Sequence, residues 1–560
     1  MKTKALHGLA FARGLLPQRA DFTLMRRSPG RDLLAGLTVA IVALPLALAF
    51  GVASGLGATA GLTTAVIAGI LAAVFGGSNI QVSGPTGAMT VVLVPVVHQF
   101  GVSGVLEVTL MAGVILLVLA LSGIGRYVRY LPASLVEGFT AGIAVVIALQ
   151  QVPNMLGVEP GDEEKVWALA WDAVVRFLQA PDPVAPLITL GVAGVILAGA
   201  RWRPSLPLSL LAVVIVTVIA AYGRSDLPVI GALPSALTAP AADFFDPAML
   251  AVLLPSALAI AALAALESLL SATVADGMSV GERHNPDREL FGQGIANLVV
   301  PFFGGVPATA AIARTAVNVR SGARSRLAAI SHSVVLLVVV LVAGSLVGYV
   351  PLAALAGVLL ATTIQMVQLG AIRAIMRATR GDAVVLVVTF GVTVAIDLVT
   401  AVVVGLAAAA LLALREVARS ARVERVPLDT ADHSAEEREL LAEHIVAYRF
   451  DGPLFFGAAH RFLLELTEVS AVSVVILRMS RVTTLDATGG LMLDDVITRL
   501  EAKGIVVLVS GVTDEHRAVL RRLGVAPHLR ELGRVFAGTP DAIRYARTLI
   551  PPARKPRTAG

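Results

Sequence analysis

The feature that most constrains this chain is a succession of apolar runs, each about 20 residues long, following one another from Asp32 to near Arg415. A helix rises about 1.5 Å per residue, so each run can cross the roughly 30 Å hydrocarbon core of a bilayer. Composition agrees: 56% of the 560 residues are hydrophobic and only 15% are charged, against about a quarter charged in a soluble domain. The chain therefore reads as an integral membrane protein. That excludes a cytoplasmic enzyme, a secreted disulfide scaffold (cysteine is absent) and a predominantly disordered protein.

Spans are expected near 32–54, 59–77, 83–99, 104–124, 131–152, 185–200 and 206–222. A second set is expected near 248–272, 288–305, 307–319, 327–349, 352–370, 381–396 and 398–415. About 14 spans starting inside put alternate loops on opposite faces, and cytoplasmic loops collect Arg and Lys. The expected inner loops hold Arg126, Arg129, Arg201, Arg203, Arg283, Arg288, Arg320, Arg324, Arg326, Arg373, Arg377 and Arg380. The expected outer loops are acidic, with Glu159, Asp162, Glu163, Glu164 and Asp182 in one, and Asp226, Asp243 and Asp246 in another. The first 31 residues, which include Lys2, Lys4 and several Arg, show no signal-peptide pattern. They read as a cytoplasmic N-terminal segment. The net charge of +5 is thus an orientation signal and calls for no nucleic-acid partner.

Seven spans per half return the second half to the membrane upside down, which predicts inverted repeats over about 32–223 and 248–419 within a transmembrane domain of residues 32–420. Arg415, Arg419, Arg422 and Arg425 then form a basic juxtamembrane run within and before a linker at 421–443, polar and acidic from 427. From His444 the pattern is that of a soluble α/β domain, residues 444–550, followed by a tail at 551–560. Its expected elements are strands at His444–Phe450, Val472–Leu477 and Ile505–Ser510 and an amphipathic helix at Thr488–Lys503. Both termini are expected on the cytoplasmic side of the cell membrane.

Each half places a broken segment at its third position: Ser83-Gly84-Pro85-Thr86-Gly87-Ala88-Met89 and Gly304-Gly305-Val306-Pro307-Ala308-Thr309. Non-helical backbone at membrane depth survives only where protein or a water-filled cavity satisfies it. Two short helices starting at Pro85 and Pro307 would turn positive ends toward the midplane and suit an anion. The bland alternative is that each Gly-Pro kinks a continuous helix. Arg314, counted two turns beyond Pro307, could hold substrate, balance Glu267 or snorkel to the cytoplasmic face. Glu267 interrupts the apolar run Leu253–Leu270; with the hydroxyl of Ser271 one turn on, it could take a proton or help ligate Na⁺, or it could form a structural salt bridge with Arg314. No cofactor, phosphate loop or nucleophile–base arrangement is evident, so an enzyme is not expected.

These features together resemble the sulfate permease (SulP) family of anion transporters. The stretches that carry the resemblance are Gln81–Met89, Gly305-Val306-Pro307 through Arg314-Thr315 to Asn318 and Gly322, and the C-terminal α/β domain. The resemblance implies a multi-pass α-helical membrane protein of seven-plus-seven inverted-repeat helices, with short third and tenth half-helices and a C-terminal cytoplasmic STAS domain. It also implies a homodimer, and an anion held between the third and tenth helices. The substrate residues it implies are Phe50, Ser83, Thr86, Ala308, Thr309, Ala310 and Arg314. Leu44–Phe50, Val274–Met278, Arg283-His284-Asn285 and Arg288-Glu289-Leu290 are most similar to the bacterial bicarbonate-transporter branch. In that branch the sodium site matches Glu267 and Ser271, but Ile312 stands where a second hydroxyl ligand is expected, which argues against Na⁺, and the longer Glu in place of the Asp of sodium-dependent relatives points to H⁺ as the coupling ion. Thr488 occupies the position of the STAS phosphosite; its plainer role is a helix N-cap. A cytoplasmic regulator could bind the STAS domain.

The expected function is secondary transport of a small inorganic anion, sulfate or bicarbonate, by ion-coupled symport. Anion exchange or dicarboxylate transport on the same fold, a membrane-anchored STAS signalling protein, and a nucleobase transporter are the rival readings.

Overall fold

The computed structural model describes residues 13–549 except 131, 162, 164, 203–207, 223–226, 234–238, 280–282, 421, 427–443, 456–471 and 526. Lys2, Lys4, Asp162, Glu164, Arg203, Asp226, most of the expected linker (427–443) and the tail (551–560) lie outside the described residues. The chain divides into two compact units, Met1–Leu406 and Ala407–Gly560.

The first unit begins with α1 (Arg19–Met25), α2 (Pro29–Ala53) and α3 (Ala58–Phe75), followed by a two-residue strand β1 (Ser83–Gly84) and α4 (Gly87–Ser122). Next come α5 (Ala133–Gln150), α6 (Val166–Gln179), α7 (Val184–Trp202), α8 (Leu208–Tyr222), α9 (Leu250–Met278) and α10 (Pro286–Val299). The strand β2 (Thr309–Ala310) precedes α11 (Ile312–Arg320), α12 (Arg326–Val347), α13 (Leu352–Met366), α14 (Leu369–Ala378), α15 (Arg380–Ala395) and α16 (Leu398–Ser420).

Among the described residues, 9 helical stretches are long and apolar enough to cross a membrane. The 36-residue α4 is broken at Gly101, whose φ of 67° only glycine adopts readily, so it supplies two of the expected spans, near 83–99 and 104–124. The shorter α8, α10, α11 and α15 account for the others. Two helices fall where the sequence predicts loop or the end of a span: α6 and α14 are amphipathic, and neither contains an uninterrupted apolar run of spanning length.

Helix pairings come in matched sets. α12 packs on α2 and α3, while α4 packs on α9 and α10; α5 packs on α15, while α7 packs on α13. Small residues permit these approaches. A Cβ on Gly138, in α5, would lie 2.5 Å from the Leu386 carbonyl of α15, and one on Gly357, in α13, would lie 2.7 Å from the Thr189 carbonyl of α7. Gly138 and Gly357 each stand six residues after a proline N-cap, Pro132 and Pro351.

Loops that carry arginines are pinned by buried acids. Asp32, fully buried, accepts the N–H groups of Arg324 (2.7 Å) and Ser325 (3.2 Å) and the Ser325 hydroxyl. Asp21 of α1 takes Arg288 at 2.6 Å and lies 3.6 Å from Arg326. Burial alone would raise the Asp21 carboxyl, but the Arg288 bond, the Gln18 N–H and the Arg326 charge together hold it below its ordinary value.

In the second unit β3 (Arg422–Val426), β4 (Ile445–Leu454), β5 (Val474–Leu485), β6 (Val506–Ser510) and β7 (Val535–Phe536) form one sheet in that order. Only β3 runs antiparallel to its neighbour. The longer helices are α17 (Ala487–Ala502), α18 (Asp514–Leu523) and α19 (Thr539–Thr548). Leu493, Val496, Ile497 and Leu500 of α17 cover one sheet face; Ala542 and Ala546 of α19 cover the other. The expected juxtamembrane run and linker include β3, which pairs antiparallel with β4, Val423 opposite Phe450 and Val426 opposite Ala447. Thr488 is not the cap of α17. Asp486 is, accepting the Gly489 N–H at 2.7 Å, and Thr488 is exposed in the first turn.

Candidate functional site

The two broken segments meet. β1 and β2 pair antiparallel, Ser83 opposite Ala310 and Gly84 opposite Thr309, and each leads within a few residues into a helix. Those helices begin at Gly87 and Ile312, not at Pro85 and Pro307. Residues 306–310 are held extended by side chains of the helices around them, which delays the turn into helix. The Val306 N–H donates to Thr64 (2.8 Å), the Ala308 N–H to Asn297 Oδ1 (2.8 Å), and the Ala310 N–H to the Ser268 hydroxyl (3.2 Å). The Asn297 amide also donates to the Ala308 carbonyl at 2.8 Å, and the Thr309 hydroxyl donates to Ala264. On the other strand, Gln293 donates to the Ser83 hydroxyl (2.7 Å), and the Val82 N–H donates to Thr315 (3.1 Å).

The late start moves Arg314 into the first turn of α11. A helical side chain leans toward its own N-terminus, so the guanidinium points back at the strand crossing and donates from Nη2 to the Pro85 carbonyl. Arg314 is 1% exposed, which rules out snorkelling; Arg320 is the exposed arginine of this helix. Its Nη1 has no hydrogen-bond partner among the described residues and lies where a Cβ on Gly84 would come within 2.6 Å. A side chain at position 84 would therefore displace the guanidinium.

Neither half-helix is capped by a side chain: the N-caps Thr86 and Ala311 make no such bond. The first N–H groups of a helix have no acceptor inside it, and they carry about half a positive charge. Thr86, a residue suited to capping, instead donates its hydroxyl to Glu267 Oε2 at 2.8 Å. Glu267, on α9, keeps partial exposure and does not pair with Arg314: the carboxylate takes Thr86 and the guanidinium takes Pro85.

Of the residues expected from the sequence, Ser83, Thr86, Ala308, Thr309, Ala310, Arg314 and Glu267 converge on this crossing. Phe50 joins them at the edge, its ring 3.2 Å from where a Cβ of Gly87 would stand. Ser271 does not turn to Glu267; it donates to Thr315 at 3.1 Å and is fully buried. Sequence reasoning did not single out Gln293, nor the polar stripe it forms with Glu289 and Asn297, spaced four residues apart on α10. Glu289 accepts the Gly77 and Ser78 N–H groups, so the stripe holds both broken segments at once. Four-residue spacing of polar groups in an apolar helix was the available signal.

Two antiparallel broken segments leading into uncapped half-helices, with a buried guanidinium at the crossing, and a separate C-terminal STAS-type sheet domain define an SLC26-like transporter fold. The fold of SLC26A9 matches with a TM-score of 0.83 at 17% identity, covering 98% of this chain and 94% of that one. The chain belongs to the sulfate permease family, whose profile matches residues 30–389; the STAS domain profile matches residues 441–542. It is similar to YvdB of Bacillus subtilis (strain 168), provisionally named a sulfate transporter, at 34% identity over 88% of this chain and 94% of that protein. It is also similar to the bicarbonate transporter BicA of Synechocystis, at 32% identity over 88% and 90%. The family consists of multi-pass membrane transporters of anions, not enzymes.

Proposed function

We propose that this chain is a secondary active transporter that carries sulfate or bicarbonate by alternating access, with proton symport through Glu267. One observation carries the anion reading: Arg314 buries a permanent positive charge with Nη1 unbonded, in the first turn of a half-helix whose own N-terminus is uncapped. A buried guanidinium with an N–H group left unsatisfied is costly, and an anion at the crossing would supply the acceptor that Nη1 lacks. Arg314 and the Thr86 end of α4 attract the anion, Ser83 keeps its hydroxyl proton to donate, and Phe50 closes the apolar side. Ala308 and Ala310 have their N–H groups occupied by Asn297 and Ser268, so with Thr309 they contribute shape and a fixed backbone.

For coupling, Glu267 is partly exposed and accepts one hydroxyl, that of Thr86. A hard cation needs several oxygen ligands. With Ser271 turned to Thr315 and Ile312 apolar, the donor set fits a proton better than Na⁺. The matched helix pairings and the equivalent glycines Gly138 and Gly357 support an inverted repeat. The same reading places both termini in the cytoplasm of a cell-membrane protein, makes it a homodimer and leaves the STAS domain free for a cytoplasmic regulator.

The test is uptake of labelled sulfate, bicarbonate and succinate into proteoliposomes under imposed H⁺ or Na⁺ gradients. Accumulation of sulfate or bicarbonate driven by an inward H⁺ gradient is expected. Uptake of none of the three above protein-free vesicles would overturn the transport reading, and Na⁺-driven uptake indifferent to H⁺ would overturn the coupling.

A further inference from the structure

We infer that His332 of α12 selects among the anions that Arg314 attracts: its bare Nε2 accepts a hydrogen from the anion, so the site prefers an oxyanion that carries an O–H, such as bicarbonate, over one that carries none. This rests on reading Arg314 as the anion site and goes beyond it by saying which kind of anion that site holds.

His332 is fully buried, and Nε2 has no hydrogen-bond partner among the described residues. The opposite edge of the ring is occupied. Ser333 donates its hydroxyl to the Ala65 carbonyl of α3 at 3.0 Å, so toward His332 it can only accept, and Nδ1 lies 3.5 Å away. The Ala329 carbonyl, one turn back, also accepts from the ring. With its hydrogen on Nδ1, the neutral ring presents a lone pair and nothing else at Nε2. The backbone here has little room to shift, because α2 passes close by: a Cβ on Gly36 would come within 2.4 Å of the Ala328 carbonyl and 2.9 Å of the His332 backbone nitrogen.

The ring stands at the depth of the strand crossing. Ala329 belongs to one apolar cluster with Val82, the residue before β1. One turn further along α12, Ser333 meets the next residues of that strand: a Cβ on Gly69 would lie 2.2 Å from the Ser333 hydroxyl and 3.4 Å from the Ser83 carbonyl. A Cβ on Gly84 would lie 2.6 Å from Arg314 Nη1 and 3.5 Å from the Cα of Ala65. Arg314 and the His332–Ser333 pair therefore border the same residue of α3, and the guanidinium charge acts on the ring.

A buried donor, the Nη1–H of Arg314, and a buried acceptor, Nε2 of His332, make complementary demands on one ligand. Nitrate and sulfate present acceptor oxygens only, so either would satisfy Nη1 and leave the Nε2 lone pair facing oxygen. Bicarbonate has acceptor oxygens for Arg314 and one O–H for His332. A site that hydrogen-bonds a substrate hydroxyl rejects the analogue lacking it, because its own buried group is then left unpaired.

Nitrate is the probe, since it shares the single charge and planar shape of bicarbonate and differs by the hydrogen. The measurement is equilibrium binding of each anion to purified full-length protein at mildly alkaline pH, where dissolved inorganic carbon is chiefly bicarbonate. Wild-type protein should bind bicarbonate about tenfold or more tighter than nitrate, a factor equivalent to about 1.4 kcal/mol. His332→Phe should erase that preference, mainly by weakening bicarbonate, and His332→Gln, whose amide oxygen can still accept, should keep part of it. Arg314→Gln should weaken both anions and leave the preference standing. A histidine with a purely structural role would lower the melting temperature on replacement and leave the bicarbonate-to-nitrate ratio unchanged, and that result would overturn the inference. So would equal affinity for the two anions in wild-type protein, which needs no variant to fold. Binding of neither anion, or binding of both undiminished by Arg314→Gln, would instead overturn the anion site itself, and the inference with it.

Discussion

Replacing Arg314 by Gln removes the charge while keeping an amide that can still reach toward Pro85. In the wild-type protein Nη2 is committed to the Pro85 carbonyl, so the N–H groups left for an anion are chiefly those of Nη1. A charge-assisted hydrogen bond is worth about 1.5–3 kcal/mol, and about 1.4 kcal/mol is a factor of ten in affinity, so loss of one such bond weakens binding by about 10- to 150-fold. Arg314→Lys keeps the charge without the planar fork, and its loss should be smaller than that of Gln. Equilibrium binding of labelled sulfate and bicarbonate to purified protein is the proper readout, because a transport half-saturation mixes affinity with turnover. Both variants also weaken the tie to Pro85, so melting curves in the absence of anion must accompany the binding data. If Arg314→Gln melts lower than wild type yet binds the anion with unchanged affinity, the guanidinium is a structural strut and the anion site lies elsewhere.

Three further outcomes are expected. Glu267→Gln should abolish anion accumulation driven by an H⁺ gradient while leaving anion-for-anion exchange measurable; gradient-driven uptake at the wild-type level would remove Glu267 from the coupling step. Asn297→Ala should leave both the N–H and the C=O of the buried Ala308 unpaired, at about 1–3 kcal/mol each, lowering the melting temperature and the uptake together, whereas Asn297→Asp, which keeps the acceptor, should lose less of both. Asp21, depressed below the ordinary carboxylate value of about 3.9, contributes stability that is present at neutral pH and lost as pH falls through its folded-state value. Asp21→Asn should therefore lower the melting temperature at pH 7 and flatten its fall in acid; a variant that keeps the full acid sensitivity would show that the link to Arg288 and Arg326 does not set it.

How far the sequence reveals this protein depends on whether a signal is periodic or relational. Apolar runs are periodic, so spans such as 32–54 and 59–77 were legible to within a few residues of α2 and α3, and the matched Gly-Pro breaks located the crossing. The starting residues of the half-helices were not legible, because what keeps 306–310 extended is Thr64, Asn297 and Ser268, and Thr64 lies over two hundred residues away in the chain. That single misplacement changed the meaning of Arg314. Counted from Pro307 it stood two turns along, free to snorkel; counted from Ile312 it stands in the first turn with its side chain aimed back at Pro85. The amphipathic α6 and α14 were passed over for the opposite reason, since their periodicity is real but their mean apolarity is diluted by Asp172, Arg176, Arg373 and Arg377. Residue types could announce an anion site and a membrane, but only the pairings among distant segments decide which N–H groups remain to meet the anion. At this crossing Asn297 and Ser268 claim those of β2 and its approach, and leave Arg314 and the two bare helix ends.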